Sequence, residues 1–180
     1  KALKETTEDR LQWGAKVAFI GSYFPERGPF LAKLVECGVP LAIYGPDWDR
    51  APEWEVLKPY FRKGRVLGDD YVKAIQYADI CLGLLSKQNR DAHTTRTFEV
   101  PCIGSLLCAE KTTEHLSLFS EDEEAVYFVS AEECATLCCK LLQEPKRIRE
   151  IANAGHRRFI QLNQTNDKVM AEIISVFHSI

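Results

Sequence analysis

The chain has 180 residues, of which 46% are hydrophobic and 27% are charged. At this length a single core can bury about 70% of the unfolded surface, so the composition predicts one globular domain. The formal net charge of −3 provides no field for nucleic acid or an anionic membrane. Every apolar run is far shorter than the roughly 20 residues of a membrane-spanning helix. No signal peptide is recognisable, and we expect a cytoplasmic protein.

The seven cysteines do not form a recognisable metal or disulfide pattern. They include no C-x-x-C pair and no histidine at zinc-finger spacing. Most of them lie in apolar runs, where cysteine acts as a small buried hydrophobe. We therefore expect structural free thiols in a reducing compartment and no bound metal.

In chain order, strands and helices alternate. Residues 1–15 are polar and predict a linker or an N-terminal helical extension, so the domain is expected to span 16–180. Apolar runs predict strands at 16–21, 41–45, 65–68, 78–85, 103–108 and 125–129. Helices are predicted at 29–38, at 69–77, over two turns after residue 95, from Ser130 to about Leu142, from Pro145 past Gly155, and at 167–177.

This alternation predicts an α/β fold, a doubly wound and mostly parallel Rossmann-like sheet with helices on both faces. Ligands of such sheets bind beyond the carboxyl ends of the strands. The candidate residues there follow the first strand (Ser22 and Arg27), the third strand (Gly68) and the fourth strand (89–96). We expect them to share one crevice.

The segment after the fourth strand carries the strongest chemical signal. His93-Thr94-Thr95 predicts a hydroxyl-rich helix start, where free backbone N–H groups suit an anion. Two acids, Asp91 and Glu99, lie on either side of that start, eight residues apart. A carboxylate can accept two hydrogen bonds from a diol. The pattern is typical of a site for a phosphate and a sugar.

The sequence also resembles a known family. Arg96-Thr-Phe-Glu-Val-Pro-Cys-Ile-Gly104 is similar to the core of the spore-maturation (CgeB-like) glycosyltransferases, as are Thr113-Glu-His, the stretch 118–133 and Ile151-Ala-Asn-Ala-Gly155. The resemblance covers residues 16–178. It implies the carboxyl-terminal, donor-binding half of a two-domain GT-B enzyme related to the retaining family-4 (group 1) glycosyltransferases.

The resemblance assigns roles to these residues. Glu99 would accept hydrogen bonds from the ribose, Asp91 would face the donor sugar, and Arg27 would bind the diphosphate; these three are the expected catalytic residues. Ser22, Gly68, His93, Thr94, Thr95 and Arg96 would complete the donor site.

Alternatives remain open for several of these residues. Glu99 could be a buried helix acid, Arg27 could pair with Glu26 at the surface, and Arg96 could turn to the phosphates or brace Asp91. Asp47-Trp48-Asp49 matches a manganese-binding D-x-D pattern, but a turn is favoured.

The resemblance implies a hexosyltransferase-type enzyme that takes sugar from a nucleoside-diphosphate sugar, with no metal or cofactor. The acceptor would bind a missing N-terminal domain, so the isolated fragment is expected to be inactive. Two other functions stay open, a non-catalytic interaction module on the same fold and one half of a two-domain nucleotide-sugar epimerase.

Overall fold

The computed structural model describes residues 2–87, 89–163 and 166–178. The strands are β1 (Ala15–Ile20), β2 (Leu41–Tyr44), β3 (Phe61–Lys63), β4 (Ala78–Gly83), β5 (Leu106–Glu110) and β6 (Val126–Phe128). The α-helices are α1 (Thr7–Trp13), α2 (Arg27–Glu36), α3 (Trp54–Leu57), α4 (Asp69–Gln76), α5 (Arg96–Ile103), α6 (Thr113–Leu118), α7 (Ala131–Leu142), α8 (Pro145–Leu162) and α9 (Asn166–His178). Short 3-10 turns occupy Trp48–Arg50 and Lys58–Tyr60.

The six strands form one parallel sheet in the order β3-β2-β1-β4-β5-β6. Val17 in β1 pairs with Leu41 on one side and with Ile80 on the other. The chain therefore adds β2 and β3 on one side of β1 and then returns to add β4, β5 and β6 on the other side. This arrangement confirms the predicted doubly wound α/β fold, and its switch point lies between β1 and β4.

Helices cover both faces of the sheet, which explains why the central strands are apolar on both faces. One core joins α2 and α7 to the sheet and contains Leu31, Ile80 and Cys134. The second lies against α4 and α5 and contains Ile75 and Val100. Helix α8 supplies side chains to both cores and contacts β5, α5 and α7, so it links the two faces of the sheet.

The third strand was predicted in the wrong place. It lies at Phe61–Lys63 rather than at 65–68, and Phe61 pairs with Ile43 of β2. In the predicted segment only Val66 is buried, while Leu67 is 71% exposed. A short edge strand needs few inward side chains, so its apolar signal is weak.

The strand predicted near 103–108 also begins later, at Leu106. Helix α5 continues through Ile103 and ends at Gly104, whose φ of 103° is the left-handed geometry of a helix C-cap. Helix α6, which the apolar pattern does not predict, begins at Thr113, and the hydroxyl of Thr112 accepts from the amide of His115.

The first residues of the chain pack on the domain. Helix α1 is capped by the Thr6 hydroxyl, and its last residue, Trp13, is buried and stacks on Tyr44. The side chains of Lys73 and Asp9 form an ion pair at 2.7 Å between α4 and α1. Across the described ranges, we find no helix with the length and apolarity needed to cross a membrane.

Candidate functional site

A crevice opens at the carboxyl ends of β1 and β4, at the switch point of the sheet. Ile20, Gly21, Ser22 and Arg96 form its shared floor. The Tyr71 lobe extends from this floor and is lined further by Gly45, Pro46, Arg65, Val66, Leu67 and Tyr71. The Arg27 lobe extends the other way and is lined further by Phe19, Arg27, Leu82, Leu84, Thr94 and Thr95. The two lobes together make an elongated cleft.

Arg27 is a buried cation on the wall of this crevice, with only 9% of its surface exposed. Its Nη1 donates to the carbonyl of Ser22 at 3.0 Å and its Nη2 to the carbonyl of Leu84 at 3.2 Å. Its Nε is buried without a hydrogen-bond partner. The guanidinium also lies over the ring of Phe24, 4.6 Å from its centroid. Arg27 thus ties the β1 end to the β4 end.

The positive charge of Arg27 is not matched by a carboxylate in direct contact. Burial lowers the pKa of Arg27, while the negative charges of Glu26, Glu110 and Asp91 raise it. Among the described residues none forms an ion pair with Arg27, and Glu26 instead accepts from the amide of Lys87. The surface ion pair with Glu26 is therefore absent from this part of the structure. A buried, incompletely satisfied guanidinium favours an anionic ligand.

Arg96 connects three parts of the crevice. Its Nε donates to the carbonyl of Ile20 at 3.2 Å, and its Nη1 donates to Glu99 Oε2 at 2.7 Å. The guanidinium also lies 4.6 Å from the centroid of the Tyr71 ring. The residue that Arg96 braces is therefore Glu99, and within the described ranges Arg96 forms no hydrogen bond or ion pair with Asp91.

Glu99 is held in position by its neighbours and remains partly open to solvent, with its side chain 40% exposed. The hydroxyl of Tyr71 donates to Glu99 Oε2 at 2.5 Å, the same oxygen that binds Arg96. The pKa of Tyr71 is raised, first by burial and further by its contact with the Glu99 carboxylate. Oε1 takes part in neither contact and is the oxygen that a ligand could bind.

The start of α5 differs from the prediction. Thr95 has helical backbone angles and its side chain does not cap the helix; its hydroxyl accepts from Arg96 Nη1 instead. The amide of Thr94 donates to the Thr97 hydroxyl at 3.3 Å. One expected free amide is therefore occupied, so an anion at this site must depend more on side-chain charge.

A buried hydrogen-bond chain supports this helix start. His115 is 1% exposed, and its Nδ1 lies 2.7 Å from the carbonyl of Glu110 while its Nε2 lies 2.9 Å from the Thr97 hydroxyl. A carbonyl can only accept, so Nδ1 carries the proton and Nε2 accepts from Thr97. His115 must be neutral to make both bonds.

This neutral histidine should make the protein sensitive to acid. Burial lowers the pKa of His115 below its ordinary value of 6.5, so the unfolded chain binds the proton more readily. The stabilisation is complete above about pH 6.5 and is lost as the pH falls toward the folded-state pKa. We expect the unfolding free energy of His115→Asn to decline less steeply below that pH, because asparagine can still donate a hydrogen bond but does not titrate.

Urea denaturation at several pH values measures this decline, and His156→Asn is the control. Equal slopes in the unmodified protein and in both variants would contradict the expectation.

Of the remaining predicted site residues, three line the crevice and three do not. Ser22, Thr94 and Thr95 line it, whereas Gly68, Asp91 and His93 lie outside its lining. Gly68 lies beside the Tyr71 lobe at the start of α4, with a φ of 56°, and Asp91 lies half-buried in the loop before α5. His93 points to α6, where its Nδ1 lies 2.8 Å from Glu114 Oε1.

Among the polar side chains that line the crevice, two were missed by sequence reasoning. Tyr71 and Arg65 lie around the end of β3, whose position was predicted wrongly. The sequence signal that could have indicated Tyr71 is its place as an aromatic residue in the first turn of α4, the helix that follows the third strand. Asp47-Trp48-Asp49 lies in a 3-10 turn, as the sequence favoured, and in it Trp48 is buried and its Nε1 donates to the carbonyl of Gly21 at 3.0 Å.

The structure places a possible metal-binding group away from the crevice. Cys108, Cys134 and Cys138 have sulfur atoms within 4.8 Å of one another, and all three are buried. Among the described residues, no other group of histidine, cysteine and acidic side chains is this close. Cys37, Cys81 and Cys139, like the three cysteines of this group, are free thiols.

Solved structures share this fold. The structure of Anabaena Alr3699/HepE in complex with UDP-glucose superimposes with a TM-score of 0.77 at 13% identity, covering 98% of this chain and 54% of that one. Sucrose-phosphate synthase from Thermosynechococcus elongatus gives 0.72 at 14% identity, covering 97% and 48%. The C-terminal domain of a group 1 glycosyl transferase (LpcC) from Francisella tularensis gives 0.62 at 12% identity, covering 87% and 93%.

The chain thus spans about half the length of the first two of these proteins. A search of curated protein sequences finds no significant match. The sequence matches the Glycosyl transferase-like family over residues 27–175, which is most of its length. With the six-stranded Rossmann-like sheet and these structural neighbours, this match shows that the chain belongs to the Glycosyl transferase-like family.

Proposed function

We propose that this chain is the donor-binding domain of a retaining glycosyltransferase that takes its sugar from a nucleoside-diphosphate sugar. The observation that carries the proposal is Arg27, a buried guanidinium on the crevice wall without a carboxylate partner among the described residues. A diphosphate supplies the missing negative charge and several acceptor oxygens. The neighbours crystallised with UDP and UDP-glucose bind ligands of this class.

The crevice offers a place for each part of the donor. The diphosphate lies in the Arg27 lobe between Arg27 and Arg96, next to the backbone of Thr95. The ribose hydroxyls bind Glu99 Oε1, the oxygen that Tyr71 and Arg96 leave free. The base then enters the Tyr71 lobe and lies against Arg65, Val66 and Leu67. This order follows the length of the cleft from the β4 end to the β2 end.

The proposed chemistry uses fixed charge. As the bond to the sugar breaks, negative charge grows on the β-phosphate, and Arg27 is held ready to stabilise it by its bonds to Ser22 and Leu84. Asp91 faces the sugar from the loop before α5. The acceptor binds an N-terminal domain outside this chain, so the isolated domain binds donor but transfers nothing.

A panel of UDP, GDP, ADP, TDP and CMP sugars in a thermal-shift assay tests the proposal and identifies the base. Binding raises the melting temperature because the ligand stabilises only the folded state. A non-catalytic interaction module would respond to none of the panel. An epimerase half would bind a nucleotide sugar, and the complete protein would then interconvert sugars without an acceptor.

Glu99→Gln should weaken nucleotide binding by about 1.5–3 kcal/mol, because the substitution removes the charge that strengthens hydrogen bonds to the ribose. Isothermal titration calorimetry with the preferred nucleotide measures this loss. Glu114→Gln is a matched control, since Glu114 pairs with His93 rather than lining the crevice. Unchanged affinity in Glu99→Gln would place the ribose elsewhere.

Donor binding should not require a divalent metal, because Arg27 and Arg96 provide the positive charge at the diphosphate. We expect the affinity measured by calorimetry to be the same in excess chelator and in added manganese. A loss in chelator that manganese restores would contradict this expectation. Asp47→Asn would then show whether that carboxylate, which pairs with Arg50 here, is a metal ligand.

A further inference from the structure

Three cysteines that are far apart in the sequence form a compact cluster of thiols, which we name the thiol cluster: Cys108, Cys134 and Cys138. Cys108 lies in the middle of β5, and the other two lie four residues apart on α7. Residues at this spacing share one face of a helix, and that face meets the sheet. The three sulfur atoms lie within 4.8 Å of one another, and each residue is buried with 0% of its surface exposed.

The geometry of the thiol cluster suits one small ion bound by three sulfurs. Sulfur ligands at about 2.3 Å from a common centre lie about 3.4 Å from one another around a pyramidal centre and about 4 Å around a planar one. The present separations therefore need to shrink by at most about 1.5 Å, which side-chain rotations can supply. Among the described residues no imidazole or carboxylate joins the group to provide a fourth ligand.

The surroundings of the cluster select among thiophilic ions by charge. The three cysteines belong to the apolar core with Leu31, Leu106 and Phe128. No cationic side chain of the described residues contacts the three sulfurs. A zinc ion with three thiolates would carry a net charge of −1 and a copper(I) ion a charge of −2. Burying such uncompensated charge is costly, and structural zinc also prefers four ligands.

Trivalent arsenic avoids this cost, and we propose that the thiol cluster is a binding site for it. One arsenous acid molecule, As(OH)₃, reacts with three thiols to give As(SR)₃ and three water molecules. Three As–O bonds and three S–H bonds break, while three As–S bonds form and each hydroxide leaves with one thiol proton. Arsenic stays trivalent, and the product is neutral like the reactants. A neutral three-coordinate product suits an apolar, three-sulfur site.

Binding would join β5 covalently to α7. Because the cluster is buried, arsenous acid must enter during local opening of α7, so binding is slow. In the unfolded chain these three thiols are not held together, so arsenic has no equivalent site there. The folded state is therefore favoured, and the melting temperature should rise.

The experiment incubates the reduced, intact protein with sodium arsenite and follows intact mass and melting temperature. We expect one adduct, heavier by one arsenic atom less three hydrogen atoms, and a higher melting temperature. Cys139→Ala is the matched control, since Cys139 is the next residue on α7 and lies outside the cluster. Cys138→Ala should raise the arsenite concentration for half-saturation at least tenfold. Zinc should produce no comparable thermal shift.

Alkylation mapping tests the same site without any substitution. After arsenite treatment and acid-quenched unfolding, peptides containing Cys108, Cys134 and Cys138 should be protected from alkylation, while Cys37 should be modified. An unchanged adduct in Cys138→Ala, protection of other cysteines, or a melting temperature lowered by arsenite would each overturn the proposal. Tight zinc binding in place of arsenic would overturn the charge argument.

Discussion

Arg27→Ala is expected to weaken binding of the nucleoside diphosphate by about 10- to 150-fold, equivalent to about 1.5–3 kcal/mol for a charge-assisted contact to phosphate. The bare nucleoside should lose far less affinity, because its proposed contacts are with Glu99 and the Tyr71 lobe. Calorimetry with both ligands measures the difference. In the complete enzyme, turnover should fall more than donor affinity, because the charge on the leaving phosphate grows toward the transition state.

Two further variants separate the charge of Arg27 from its structural role. The carbonyls of Ser22 and Leu84 lose their donors in Arg27→Ala, so urea denaturation must accompany the binding measurement. Arg27→Lys keeps the charge but cannot bind both carbonyls in the same fork geometry. Arg50→Ala removes an exposed arginine and should leave both ligands unaffected. Equal losses for nucleoside and nucleoside diphosphate in Arg27→Ala would move the diphosphate to Arg96 and the α5 amides.

Gly45→Ala is expected to lower the melting temperature by on the order of 10 °C and to abolish donor binding. Gly45 has a φ of 138°, and a Cβ there would lie 2.0 Å from the carbonyl oxygen of Gly21. The strained backbone costs about 1–3 kcal/mol, and relief of the overlap adds a similar amount. At this chain length each kcal/mol shifts the melting temperature by about 2–4 °C. Gly21 forms the floor of the crevice, so its displacement should disturb both lobes.

Gly38→Ala separates the two causes. Gly38 also has a positive φ, of 81°, but a Cβ there would meet no atom within 4 Å. It should cost only about 1–2 kcal/mol and leave nucleotide binding intact. If calorimetric unfolding shows the same loss for both variants, the contact between Gly45 and Gly21 contributes nothing beyond backbone conformation.

The fold could be predicted because buried parallel strands are continuous apolar runs, as β1 and β4 are. The same reasoning misplaced β3, an edge strand with one half-buried and two exposed residues. It missed α3, with four residues, and α6, with six, since so few residues establish no helical period. The doubly wound topology was predicted from a general rule about alternating elements rather than from any residue in the chain, and the strand order was not predicted.

The site was predicted in outline and not in its contacts. Topology indicated that Ser22, Arg27 and Thr95 meet at one edge of the sheet, and the structure places them around one crevice. The contacts of Glu99 with Tyr71 and Arg96 depend on side-chain packing between α4 and α5, which sequence spacing does not encode. The thiol cluster was missed for a similar reason, because Cys108 and Cys134 meet only when α7 packs on β5.

With the donor placed as proposed, the shared contact of Arg96 and Tyr71 with one oxygen of Glu99 would make ribose and phosphate recognition cooperative. A diphosphate that draws Arg96 toward the Arg27 lobe would release part of Glu99 Oε2 for a second ribose hydroxyl. The phosphates and the ribose of one donor would then strengthen each other's binding through this single guanidinium. In a double-mutant cycle, Arg96→Ala and Glu99→Gln would give a combined loss in affinity that differs from the sum of the single losses. A nucleoside would bind this domain less well than its own contacts alone suggest, because it lacks the diphosphate that would draw Arg96 away from Glu99 Oε2.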